Sequence, residues 1–114
     1  MNKTIYLIDI DGTVCEDVPN EEAHRFLTAK PIDGALDMVN KVLEEGNRVT
    51  FFTARTSEHA DVTEQWLKNN GFPFESVCYN KPRTDDGWEY HWVDNKPVTS
   101  TYTPQGFVLL GEGK

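Results

Sequence analysis

Several things are scarce in this chain. It has two cysteines, Cys15 and Cys78, far apart and in no CxxC or other metal-ligand spacing. That excludes a cysteine-rich metal knuckle and a disulfide framework. No apolar run approaches the roughly 18 residues that a membrane span needs, and the first residues carry no signal-peptide pattern. A reducing cytoplasm is therefore the expected compartment, and no membrane partner is expected. Basic residues are few and scattered: 11 Lys and Arg stand against 19 Asp and Glu, for a net charge of −8. Nucleic acid and anionic membranes are bound through clustered Lys and Arg, so this balance argues against both. Internal repeats, low-complexity tracts and linker-like shifts of composition are also missing.

What is present fits one folded unit. The 114 residues, 38% hydrophobic and 26% charged, predict a single domain over 1–114. Such a chain can bury a core without staples.

Residues 4–9 read as a strand, apolar on both faces as in a parallel sheet. Residues 14–30 are polar and irregular, with a helical turn expected around 22–27. Asp33 is the expected N-cap of a helix striped by Leu36, Val39 and Leu43 with Ala35 and Val42 beside them; Gly46 stops it. Residues 48–53 form a second strand of β-branched and aromatic residues. Thr56 or Ser57 caps the next helix, which runs to Asn70 and ends at Gly71. Residues 76–79 are a short third strand, 88–93 a fourth ending at Asp94, and 107–110 a candidate edge strand. Strands alternating with helices predict an α/β, Rossmann-like three-layer sandwich with a mostly parallel sheet.

The first strand delivers Asp9 and Asp11, two apart, onto one side of its end. Carboxylates this close repel unless a cation lies between them, and magnesium accepts such oxygens, usually with a phosphate. Asp11-Gly12 is also a hairpin signal, the alternative reading of this stretch. The rest of the chain favours the first, because parallel α/β sheets bind ligands at the carboxyl ends of their strands. Asp9, Asp11, Thr53, Asn80, Lys81 and Asp94 all fall there.

The ordered set DIDGT (9–13), Thr53 after RVTFF, Lys81 in YNKP and Asp94 in HWVDN resembles the haloacid dehalogenase-like superfamily of aspartate-nucleophile phosphohydrolases. The resemblance implies that Asp9 attacks phosphorus and Asp11 acts as general acid and base. Magnesium would be held by Asp9, the Asp11 carbonyl and Asp94. Thr53 and Lys81 would hold the phosphoryl oxygens, helped by main-chain groups at Ile10, Gly12, Thr13 and Ala54. Asp11 favours ester hydrolysis, since a dehalogenase needs no acid for its leaving group. Asn95 stands where a second carboxylate is usual, and the helix usual before the fourth motif is missing.

Each residue keeps an ordinary reading. Thr53 is also a plain strand-end residue, and Lys81 has rivals in Lys30 and Lys96. Arg55 and Arg83 either read a second anionic group on the substrate or are solvated charges. Trp88, Tyr90 and Trp92 share one face and either stack on a substrate or, the favoured reading, pack in the core. Neither gap between motifs has room for a cap domain, so a capless, open cleft is expected, one that a neighbouring subunit of a homo-oligomer can close. The KPR…YHWVDNK stretch is similar to short phosphatases associated with capsule and surface-polysaccharide genes. The expected activity is magnesium-dependent hydrolysis of a small phosphorylated metabolite, a sugar phosphate or nucleotide. A nucleic-acid end phosphatase and a non-catalytic metabolite-binding scaffold are the alternatives.

Overall fold

The computed structural model describes residues 3–108. Its sheet has three parallel strands in the order β1 (Ile5–Ile8), β2 (Arg48–Phe52), β3 (Ser76–Cys78). A loop holding a 3-10 segment, Asn20–Thr28, and helix α1 (Ala35–Glu44) link the first two strands. A 3-10 turn, Ser57–His59, and helix α2 (Ala60–Asn69) link the second pair. This is the expected Rossmann-like α/β arrangement. No helix among the described residues is long and apolar enough to cross a membrane.

In the parallel register Tyr6 stands beside Val49 and Ile8 beside Phe51. That sheet face shares one core with Val39 and Val42 of α1 and with Trp66 and Leu67 of α2. The buried positions of α1 are Ala35, Val39 and Val42, an i, i+4, i+7 stripe one step round from the expected Leu36 and Leu43, which are only partly buried. Trp66 stacks on Phe72 and donates its indole N–H to the Ala29 carbonyl at 2.8 Å. This ties α2 to the end of the 3-10 segment.

The opposite sheet face is thinly covered. Ile5 and Leu7 are 50% and 49% exposed, so β1 is not buried on both faces as expected. Over Phe52 the ring of Trp92 packs edge-on, 6.3 Å between centroids.

The fourth strand expected over 88–93 does not form, and Trp88, Tyr90, Trp92 and Val93 are exposed. A parallel strand needs a crossover of about a dozen residues or more, usually helical; residues 79–87 hold no helix and turn at Gly87 (φ 84°). The aromatic stripe is therefore not core. Asp33 makes no cap bond, because Gly34, at φ 89°, occupies the N-cap and α1 starts one residue later. Phe107 is buried and donates its N–H to the Thr13 carbonyl at 2.8 Å, outside any strand. The rest of the candidate edge strand, Leu109 and Leu110, lies outside the described residues.

Candidate active site

Where β1 ends, the chain turns sharply. The N–H groups of Thr13 and Val14 both donate to the Ile10 carbonyl, at 3.0 and 2.9 Å, and that of Gly12 donates to Cys15 at 2.8 Å. Gly12 takes φ 81°, a conformation that a residue with a Cβ resists. The turn leads into the loop and not back along β1, so the hairpin alternative does not hold. It leaves Asp9 and Asp11 lining a cleft of about 270 Å³ at the carboxyl end of the sheet.

Asp9 is partly exposed. Its Oδ2 accepts from the Thr13 hydroxyl at 3.2 Å, and its Oδ1 lies 3.9 Å from Lys81 Nζ. Burial raises its pKa above the usual carboxylate range; Lys81, the Ile10 N–H and Thr13 oppose the rise, and Asp11 adds to it. Lys81 is also 4.7 Å from the centre of the Tyr90 ring, a cation–π contact that steadies the ammonium. Of the rival lysines, Lys81 alone lines the cleft.

Asp11 has a different partner. Arg55 grips it with one edge of its guanidinium, Nε donating to Oδ2 at 2.9 Å and Nη2 to Oδ1 at 2.8 Å. The Arg55 side chain is fully buried, bonded to Thr63 at 3.2 Å and set 3.8 Å over the Phe26 ring. It cannot read a second anionic group on a substrate, and that expectation is corrected. Thr53 is buried too: its hydroxyl accepts the Arg55 N–H at 3.0 Å and does not line the cleft. Arg83 does line it, exposed and paired with Glu21 at 3.3 Å. Ile10 is a core side chain, and the Gly12 and Thr13 N–H groups are engaged within the turn. Ala54 stands in the cleft wall.

The mutual repulsion of the two aspartates is thus relieved by Arg55 on one and Lys81 near the other. Asp94 takes no part. It is exposed, accepts from Trp92 Nε1 at 3.0 Å and the Lys96 N–H at 3.1 Å, and does not line the cleft. The Trp92 bond, followed by main-chain bonds, holds its pKa low. Among the described residues no group of three or more His, Cys, Asp or Glu is placed to hold a metal ion. The expected set of Asp9, Asp11 and Asp94 is therefore not assembled. Asp9 and the Asp11 carbonyl would hold magnesium only with phosphate and water completing the shell.

Much of the cleft lining was not visible in the sequence. Asp17, Val18, Pro19 and Asn20 line the cleft, as do Thr84 and Tyr90. Glu16 anchors this loop by accepting from Arg25 at 3.1 Å and from the Lys30 N–H at 2.8 Å, and Asn20 reaches the Ala54 carbonyl at 3.0 Å.

A parallel sheet whose first strand ends in paired aspartates, with a lysine beside the first, agrees with a haloacid dehalogenase-like protein, the superfamily that the family match supports. Residues 6–96 match the family described as PITM 1-3, LNS2 domain, and the chain belongs to that family. Two curated proteins, both named "Putative nucleotidase", are similar to it. The one from Oceanobacillus iheyensis is 32% identical over 95 residues, covering 75% of this chain and 50% of its own length. The other, from Bacillus cereus, is 29% identical over 48 residues, 42% of this chain and 25% of its own. The chain thus spans half or less of these relatives. A crystal structure of a target protein from Vibrio cholerae superposes with a TM-score of 0.59 at 16% identity, covering 83% of this chain and 82% of that one. That likeness concerns the fold alone.

Proposed function

We propose that this chain is a capless phosphomonoester hydrolase that forms an aspartyl-phosphate on Asp9, acting on a small sugar phosphate or nucleotide. The observation that carries this reading is the pairing at the strand end: a partly exposed Asp9 carboxylate, 3.9 Å from Lys81, on the wall of an open cleft. Such transfer depends on positioning and charge, not on elaborate machinery. Asp9 supplies the nucleophilic oxygen, and Lys81 draws the phosphoryl oxygens toward it. Asp11 moves the proton of the leaving oxygen. Thr53, at the strand end beside them, shapes the turn that sets Arg55. Magnesium, when bound at Asp9 and the Asp11 carbonyl, would offset charge between nucleophile and phosphate. The names of the curated relatives make nucleotides the first substrates to try, and the open cleft suits closure by a neighbouring subunit.

The test is release of phosphate from an aryl phosphate and a panel of nucleoside monophosphates and sugar phosphates, with magnesium and then with chelator. Activity lost on chelation, abolished by Asp9→Asn and lowered by about 10²–10³-fold in Lys81→Ala is expected, the usual cost of removing one charge-stabilising donor. The placement of Asp94 away from the cleft favours a second reading, a scaffold that binds phosphorylated metabolites without turnover. Saturable binding of those compounds with no phosphate release across the panel would select it.

A further inference from the structure

We infer that Arg55 is a positioning residue for the acid–base carboxylate, holding Asp11 in a fixed plane from behind; this rests on the phosphatase reading above. The geometry is specific. Two parallel N–H···O bonds, at 2.9 and 2.8 Å, join the fork to both carboxylate oxygens. The guanidinium is itself held at two points, donating from Nη1 to the Thr63 hydroxyl and lying over the Phe26 ring, while the main-chain N–H of Arg55 donates to the Thr53 hydroxyl. None of Arg55 is exposed, whereas Asp11 keeps 15% of its side chain open and lines the cleft. A carboxylate has about four acceptor sites, so a bidentate fork leaves sites on the cleft side for a proton.

A buried ion pair is weak evidence of a stabilising role, because desolvation cancels much of its attraction. Its value here is directional. In the first half-reaction the Asp9–phosphorus bond forms as the ester P–O bond breaks; the leaving oxygen keeps the bonding pair and takes the proton from Asp11. The Asp11 carboxylate so produced is the species that the fork grips. In the second, water attacks phosphorus, its proton returns to Asp11, and the Asp9–phosphorus bond breaks. Lysine offers one point charge without the fork and cannot fix the carboxylate plane.

The experiment compares kcat/KM for p-nitrophenyl phosphate, whose leaving group needs little protonation, with that for glycerol 2-phosphate, whose alkoxide needs it fully. The ratio of the two is independent of how much enzyme is folded, so a destabilised variant still reports. Arg55→Lys, and Arg55→Gln as a second variant, are expected to lose about 10²-fold or more on the alkyl ester, in the range for general acid catalysis, and tenfold less on the aryl ester. Asp11→Asn is expected to shift the ratio in the same direction, and Arg55→Lys added to it to shift it no further. An unchanged ratio in both Arg55 variants, beside a shifted one in Asp11→Asn, overturns the assignment. So does an additive shift in the double variant. Wild-type protein that releases phosphate from neither ester overturns the phosphatase reading instead, and this inference with it.

Discussion

Trp66→Phe isolates the contact that ties helix α2 to the loop walling the cleft. Trp66 is fully buried, stacked on Phe72 at 5.5 Å and bonded through its indole N–H to the Ala29 carbonyl. Phenylalanine keeps an aromatic ring but has no donor. The stranded carbonyl costs about 1–3 kcal/mol, and the void left by the smaller ring adds roughly 1 kcal/mol. The sum, about 2–4 kcal/mol, is a large share of the ~5–15 kcal/mol that a domain possesses. At roughly 4 °C per kcal/mol for a chain of this size, Tm should fall by about 8–16 °C. Thermal melts followed by far-ultraviolet circular dichroism measure this directly. A drop of less than about 2 °C, equivalent to roughly half a kcal/mol, would refute the claim that this bond anchors the loop.

Two further outcomes follow from the charges around β1. Because burial raises the Asp9 pKa, the folded protein binds a proton there that the unfolded chain has already released, so stability falls as pH rises through that interval. In chelator, Asp9→Asn should therefore melt higher than wild type at pH 7, with the gain shrinking below about pH 4; a gain that grows on acidification contradicts the sign. Cys15 is buried and its thiol is pushed strongly upward in pKa, first by burial and then by Asp11, whereas Cys78 is exposed. Iodoacetamide at pH 8 should alkylate Cys78 alone in the native protein and both thiols in denaturant, as intact mass will show.

Much of this architecture can be read in the linear chain because local rules and the global fold agree there. The apolar runs of β1 and β2 give strands in both readings, and Gly46 and Gly71 end their helices with the positive φ expected of them. Lys81 comes to Asp9 because both follow strands of one parallel sheet and so leave it at the same edge. The segment 88–93 misleads because its alternation of aromatic and polar residues is a strand signal, while the connection before it is too short to return it to the sheet. Arg55 was hidden for another reason. Its partner is Asp11, 44 residues away, and nothing in the spacing or type of a lone arginine after a strand distinguishes a surface charge from a buried clamp.

The residues lining the cleft differ in what holds them in place. The wall bearing Asp9 and Asp11 grows directly out of the sheet and the core, so alterations there disturb the fold itself. Across residues 17–20 only Val18 is a core side chain; Asp17, Pro19 and Asn20 lie outside the core, and the stretch is moored by polar tethers from Glu16 and Asn20. If the proposed activity holds, Asp17, Pro19 and Asn20 are where the cleft can change its lining while Asp9 and Asp11 keep their places.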